Sequence, residues 1–344
     1  MNVLVVGGYG AVGVHVVKTL AGWFPGRVVP AGRDLAKASR LAEAIAATDG
    51  GGSAGTAGGA AARVDVTDAD GFARVLEQHQ IGVVVLCVEP PDATVARVCL
   101  GQGVHLVDVG ASYRLLAQVE GLKTAEATAV LSVGVAPGLT NLLARRAHDA
   151  LGGADRIDLT VLLGAGERHG ADAVRWTVGQ LATRPDGAPL RVELPGFGTR
   201  TAHPFPFSDQ HTLRRTLGVP VVTTRLCLDS APLTAGLFAL SGAARHAQVR
   251  RALTAVLSRV HMGGDRFAVR ADAYLGDRRA AYALAGREQS RYTGLVAAHV
   301  TRALLDGRLP PGVHHLDQLP ALASVPEDLG LRVENALEFN RISF

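Results

Sequence analysis

Lysine is almost missing from this chain: Lys18, Lys37 and Lys123 are the only three in 344 residues. The formal charge of +4 therefore rests on arginine. No basic run or aromatic-interleaved basic patch accompanies it, which argues against a nucleic-acid partner. Cysteine is as scarce. Cys87, Cys99 and Cys227 are too few and too scattered for a disulfide framework or a CxxC metal site, and each reads as a small buried apolar side chain. No apolar stretch is long enough to span a bilayer, so no membrane partner is expected. The N-terminus enters a strand-like run without the basic region of a signal peptide, and the expected location is cytoplasmic.

Whole enzyme classes are missing too. None of the five tyrosines has a lysine four residues later, which removes the Tyr-x-x-x-Lys pair of short-chain dehydrogenases. No lysine sits in a P-loop, and neither HExxH nor a Cys/His cluster occurs, so no metal is expected. Gly51-Gly52-Ser53-Ala54-Gly55 matches the hydrolase elbow G-x-S-x-G. It lies in Asp49 to Ala62, a Gly/Ala/Ser/Thr stretch read as a flexible loop, with no strand before it and no helix after.

What is present begins at once. Asn2 to Val6 is almost wholly apolar, Gly7-Gly8-Tyr9-Gly10-Ala11-Val12-Gly13 follows, and Val14 to Leu20 reads as a helix. Gly8, Gly10 and Gly13 satisfy G-x-G-x-x-G, the spacing of a tight turn, a close backbone approach to a pyrophosphate, and close helix–strand packing. The helix start behind them offers amide groups and a positive dipole end to phosphates. Gly8, Tyr9, Gly10, Ala11, Val12 and Gly13 are thus expected to line a dinucleotide site.

A second apolar strand, Arg27 to Ala31, leads to Gly32-Arg33-Asp34. A carboxylate at this strand end grips the ribose diol of NAD, whereas an arginine accommodates the 2′-phosphate of NADP. Gly32 stands roughly where the acid would be, with Arg33 beside it, so NADP(H) is favoured over NAD(H). Asp34 is either a further cofactor contact or the cap of a helix from Leu35 to Ala47.

Strand and helix then alternate. Strands are expected at Arg63–Val66, Val83–Val88, Val104–Val107 and Ala129–Val133. Helices are expected at Asp68–Gln78, Asp92–Leu100 and Leu139–Leu151. Apolar strands spaced by helices give a parallel sheet covered on both faces, with ligands beyond the strands' carboxyl ends. Asp65, Val88, Glu89 and Asp108 lie at those ends and join the cofactor candidates; for Asp65 and Asp108 the competing role is turn or helix capping. Beyond residue 151 the strand-like runs Arg156–Leu163, Leu190–Leu194, Val221–Asp229, Arg266–Leu275 and Ala280–Arg287 are unevenly spaced. Helices such as Ala171–Ala182 and Ala244–Val260 intervene. This predicts an α/β protein: an N-terminal Rossmann domain with a parallel sheet, and a second α+β domain on a mixed or antiparallel sheet. Boundaries are placed at 1–140 for the NADP-binding domain, 141–290 for a substrate and dimerisation domain, and 291–344 for a segment returning to the first. Alternation of Phe267, Val269 and Ala271 with Arg266, Arg270 and Asp272 predicts one solvated or partner-shared face.

Hydride transfer asks the protein for a docked electrophile and a proton source. Tyr113 follows a strand end, and His169 lies with Glu167 in a turn directly after a strand; these two are the preferred catalytic candidates. His203 and the pair Asp209 and His211 are others. Arg175, Arg191, Arg200 and Arg225 are available to clamp a carboxylate. The segments Pro195–Gly198, His203–Phe207 and Pro232–Leu240 read as a pocket wall or lid, or as core and dimer contact.

Several of these motifs occur in order at fitting distances: Leu4-Val5-Val6-Gly7-Gly8-Tyr9-Gly10, Gly32-Arg33-Asp34, Gly103 to Asp108, and Gly134-Val135-Ala136-Pro137-Gly138-Leu139. With Gly307 and Gly312-Val313 they resemble the saccharopine dehydrogenase-like NAD(P) oxidoreductases. The resemblance implies a Rossmann domain, a mixed-sheet substrate domain whose sheet often supports a homodimer, and nicotinamide-dependent redox at a carbon bonded to nitrogen. It also implies cofactor contacts at Gly8, Gly10, Gly13 and Arg33. Three departures point away from saccharopine itself. Ala136 stands where saccharopine-forming reductases carry an Asp before Pro-Gly, their cysteine has no counterpart near Leu163 to Gly170, and Tyr113 matches their tyrosine only with a two-residue shift. The expected function is an NADP(H)-dependent reductase acting on an imine, ketone or activated alkene of a small metabolite in a specialised biosynthetic pathway. The alternatives are an opine- or carboxyspermidine-type reductive condensation of an amine with a carbonyl, and a non-catalytic NADPH-binding sensor or scaffold.

Overall fold

The computed structural model describes residues 1–48, 59–167, 170–183, 187–257 and 263–338. In chain order the elements are β1 (Asn2–Val6), α1 (Gly13–Trp23), β2 (Val28–Gly32), α2 (Leu35–Thr48), β3 (Ala62–Arg63), α3 (Ala69–Gln78), β4 (Ile81–Leu86) and α4 (Thr94–Gly101). Then come β5 (His105–Asp108), α5 (Tyr113–Glu120), β6 (Thr128–Leu131), α6 (Thr140–Leu151), β7 (Arg156–Leu163), α7 (Ala171–Leu181), β8 (Leu190–Leu194) and β9 (Gly198–Pro204). The remainder is α8 (Asp209–Thr216), β10 (Val221–Leu228), α9 (Ala231–Ala239), α10 (Ala247–Leu257), β11 (Arg266–Leu275), β12 (Arg278–Arg287), α11 (Gln289–Leu305), β13 (Gly312–His315), α12 (Val325–Asp328) and β14 (Glu334–Asn335).

These elements form two compact units, Met1–Gly134 with Thr293–Leu322, and Val135–Tyr292 with Ala323–Phe344. The first unit carries a seven-stranded sheet in the order β13-β6-β5-β4-β1-β2-β3. Every pairing in it is parallel. It is a Rossmann-like sheet, and the strand order reverses between β1 and β4, the switch point at which such sheets bind ligands. Val3, Leu4, Val5 and Val6 are all buried, as are Ile81 to Leu86. Runs without polar alternation are what strands covered on both faces require.

The second unit carries a mixed sheet in the order β14-β12-β11-β7-β10-β9-β8. Among the described residues only β7 and β10 run parallel; the neighbours on either side are antiparallel. The α/β class with a parallel sheet and a second mixed one therefore matches the expectation, although several elements differ. β3 stops at Arg63 rather than Val66, because the Asp65 carboxylate accepts from the Thr67 amide at 3.0 Å and hydroxyl at 2.7 Å and turns the chain. α5 follows β5 where no helix was expected, and β9, β13 and β14 are further additions. The segment read as a flexible loop falls mainly on residues 49–58, outside the described residues.

The expectation of a solvated or shared face on β11 is wrong for Arg270 and Asp272, which are 5% and 2% exposed. The alternation is charged because the charges pair with one another inside the unit. Arg270 Nε lies 2.8 Å from Asp272 Oδ2 and its second terminal nitrogen 2.9 Å from Oδ1, while Arg279 reaches the same carboxylate at 2.7 Å. On the neighbouring strands Arg225 pairs with Asp158 at 2.8 Å. Arg225 also donates to the Ala188 carbonyl at 3.1 Å, so this arginine is committed and is not a spare carboxylate clamp. The apolar segments read as a lid or a core contact fall into defined elements. Phe205 and Phe207 pack 4.9 Å apart and against Trp176, and Pro232 to Ala239 lies in α9.

Removing one partner of a buried charge pair leaves the other stranded, at a cost of about 3–5 kcal/mol. Asp272→Ala is expected to lower the urea-unfolding free energy by about that amount. Arg279→Ala, at a side chain that is 41% exposed, is expected to cost about 1 kcal/mol or less. Equal losses for the two would contradict the assignment of Asp272 as the hub.

Candidate functional site

The first unit's site starts where β1 runs out. Gly7 takes φ +78°, a conformation open to glycine, and its amide and that of Gly8 both donate to the Ala31 carbonyl, at 2.8 and 3.1 Å. A Cβ at Gly7 would lie 2.6 Å from Val88 Cγ1, and one at Gly8 2.9 Å from the Val5 carbonyl oxygen. A Cβ at Gly13 would run into the Gly7 carbonyl oxygen. The Gly10 amide donates to that same carbonyl at 2.8 Å and closes the turn. The result is a bare main-chain bend running from β1 through Tyr9, Gly10 and Ala11 into Val12, the N-cap of α1. That helix has no side-chain cap and no acid in its first turn. A helix start left open in this way presents main-chain amides and the positive end of the helix dipole.

Tyr9 reaches from this bend to the end of β2. Its hydroxyl accepts from the Asp34 amide at 3.1 Å, and Lys37 Nζ lies 5.9 Å from the ring centroid. Asp34 caps α2 by accepting from the Lys37 amide at 3.2 Å, and its other oxygen pairs with Lys37 Nζ at 3.5 Å. That amide, with the Lys37 charge behind it, holds the Asp34 carboxyl below the usual carboxylate range. Arg33 is exposed beside it.

The other carboxyl ends of the sheet gather the remaining candidates of this unit. Asp65 is held below the ordinary range first by the Thr67 amide and hydroxyl, with the Arg33 and Arg63 charges adding less. Val88 packs against the core cluster, and Glu89 follows it at the surface. Asp108 ends β5 almost wholly buried, with Oδ1 accepting from the Gly110 amide at 2.7 Å. Burial pushes its carboxyl up to about 6, against that hydrogen bond, and the nearby Glu89 charge adds to the rise. Tyr113 does follow the end of β5. It is half-buried and opens α5.

Sequence reasoning passed over three residues here. Ser132, at φ +58° just after β6, lies with Oγ 2.8 Å from His315 Nδ1, and His315 Nε2 is 2.6 Å from Glu120 Oε1. The three are separated by up to 195 residues, so nothing local signals the chain. It pins β13 to β6 and α5. Gly294 was missed as well: a Cβ there would be 2.7 Å from His15 Cβ and 3.0 Å from the Val12 carbonyl oxygen, so glycine lets α11 lie against the start of α1.

Among the second unit's candidates, His169 lies outside the described residues. Its neighbour Glu167 caps α11, accepting from the Gln289 and Ser290 amides at 2.7 Å each. His203 stacks on Phe238 with centroids 4.4 Å apart, and burial lowers its pKa. Asp209 is fully buried with Oδ1 accepting from the Thr224 hydroxyl at 2.6 Å; burial pushes its carboxyl up to about 6. His211 is lowered by burial and by the Arg214 charge.

Residues 3–131 match the family model described as the saccharopine dehydrogenase NADP binding domain. No curated protein sequence matches the chain significantly. Among solved structures, the chain is similar to apo histidine-tagged saccharopine dehydrogenase (L-Glu forming) from Saccharomyces cerevisiae, with a TM-score of 0.62 at 15% identity over 97% of this chain and 98% of that one. A DAP dehydrogenase from C. glutamicum, in complex with DAP, aligns over 100% and 99% of the two chains at 15% identity with a TM-score of 0.46. Among the described residues no group of His, Cys, Asp and Glu could hold a metal ion, and no helix is long and apolar enough to cross a membrane.

Asp108 gives this unit a signature against pH. Its folded pKa of about 6 lies above the unfolded value near 4, so the unfolded chain gives up its proton first and stability falls as pH rises through that window. Asp108→Asn keeps an acceptor for Gly110 and cannot ionise. Relative to the parent its stability is expected to rise between pH 4 and pH 7 by up to about 2 kcal/mol and then level off. Urea unfolding across pH checks this; a difference independent of pH would contradict it.

Proposed function

We propose that the chain, whose Rossmann unit belongs to the saccharopine dehydrogenase-like NAD(P)-binding family, is an NADP(H)-dependent oxidoreductase. It reduces an imine, ketone or activated alkene of a small metabolite. The observation that carries this reading is the glycine bend: a cradle that a Cβ at Gly7, Gly8 or Gly13 would fill, in front of a helix start free of acid. Gly8, Tyr9, Gly10, Ala11, Val12 and Gly13 hold the pyrophosphate on main-chain amides. Arg33 pairs with the 2′-phosphate. Asp34 supports this choice, because both of its oxygens are engaged by Lys37 rather than spare for a ribose diol.

When bound, NADPH supplies the hydride. Val88, Glu89 and Asp108 border the cofactor at the strand ends, and Asp65 lies toward its adenine. A proton goes to the reduced nitrogen, oxygen or carbon from Tyr113, His169 or solvent. The segment 141–290 contributes the substrate contacts and supports a homodimer. The name of the yeast protein of similar fold, saccharopine dehydrogenase (L-Glu forming), supports chemistry at a carbon bonded to nitrogen. Ala136 and the lack of a cysteine near Leu163 favour a substrate other than saccharopine, in a specialised biosynthetic pathway of the cytoplasm.

Calorimetry on folded protein is expected to register NADPH binding, and Arg33→Ala is expected to weaken it about 10- to 100-fold while changing NADH binding less than about twofold. Equal loss of both would remove Arg33 from the phosphate. A panel of cyclic imines, amino-acid/keto-acid pairs and enones, followed by NADPH oxidation, tests turnover. Tight NADPH binding with no oxidation across the panel would favour a sensor or scaffold instead.

A further inference from the structure

Gly32 ends β2 where an NAD-binding site carries its ribose-gripping carboxylate, and its backbone does not lie in the left-handed region that calls for glycine. The reason for glycine is space. A Cβ at Gly32 would lie 2.6 Å from the Tyr9 hydroxyl oxygen, 2.7 Å from Cε1 and 2.8 Å from Cζ. The Tyr9 ring therefore fills the place from which a side chain at Gly32 would grow. Its hydroxyl is tied to the Asp34 amide at 3.1 Å, so the ring is anchored at both ends: between two glycines of the phosphate bend, and at the residue that caps α2. Lys37 Nζ stands 5.9 Å from the ring centroid, and Arg33 is exposed on the same strand end.

We propose that Tyr9 is a specificity-determining residue for the cofactor ribose: its ring occupies the slot a diol-binding carboxylate needs and leaves the 2′ position facing the Arg33 and Lys37 charges. The inference rests on the NADP(H) reading of the site and adds an exclusion to the attraction supplied by Arg33. Selectivity built from attraction alone is weaker than selectivity that also rejects the competitor. Because Tyr9 belongs to the phosphate bend, seating the pyrophosphate and choosing the ribose become one event.

The test is calorimetric titration of NADPH and NADH into the parent chain, Tyr9→Phe, Tyr9→Ala, Gly32→Asp, and the double variant Tyr9→Ala/Gly32→Asp. Tyr9→Phe keeps the ring and is expected to hold the NADPH-to-NADH affinity ratio within about twofold, whereas Tyr9→Ala lowers it about fivefold or more. Gly32→Asp alone gains no NADH affinity, since its carboxylate has no room; the double variant inverts the preference toward NADH. An unchanged ratio in Tyr9→Ala overturns the proposal, as does a switch to NADH in Gly32→Asp with Tyr9 in place. Should circular dichroism show the Gly32→Asp proteins unfolded, the two single Tyr9 variants decide. A folded parent chain that binds neither nucleotide overturns the NADP(H) reading and this inference together. A parent that binds NADPH, with Tyr9→Ala at the parental ratio, removes only the role of Tyr9.

Discussion

The structure of the first unit depends on one close approach, that of α1 to the turn after β1. The helix comes so near that the space for a single methyl group between Gly13 and the Gly7 carbonyl is lost. That nearness sets the amide-rich start of the helix over the end of the sheet, at the point where strand order reverses. Gly294 repeats the device from outside, letting α11 lie against the same end of α1. The bend is thus fixed from both sides by residues without side chains. Everything assigned to the cofactor follows from a main chain that a phosphate can reach.

Around this bend, charges are distributed by what each end of the site must do. The helix start carries no acid, while Asp34, Asp65 and Asp108 at the strand ends are each engaged. Asp34 and Asp65 are held ionised by amides and hydroxyls of their own turns, and Asp108 is pushed toward neutrality by burial. In the second unit the same economy appears in another form. Arg270, Asp272 and Arg279 form one cluster and Arg225 with Asp158 another, so that the charges the sheet buries at Arg270, Asp272, Arg225 and Asp158 are paired. Such pairs favour one packing arrangement over others, since a shifted strand would strand a charge.

Much of this was legible in the chain. The strand, glycine turn, helix and strand over Asn2 to Ala31 could be read because the parallel sheet demands unbroken apolar runs and the turn demands glycine. The limits of β11 were read correctly from its composition, but its charged face was misread as solvated or shared with a partner, because alternation records which side chains share a face and not what covers it. Tyr113 was read only as following a strand end, and the helix it opens was not expected, because α5 starts with no side-chain cap. The Ser132, His315 and Glu120 chain joins three elements far apart in sequence and left no local pattern at all. The reason for Gly32 likewise became visible only once Tyr9 was seen against it.

Hydrogen–deuterium exchange with and without saturating NADPH tests the central claim most directly. Slowed exchange is expected in peptides covering residues 7–16 and 31–40, where the amides of the bend and of the α2 start would meet the cofactor. Unaltered exchange across residues 7–16 while NADPH is bound would contradict the account.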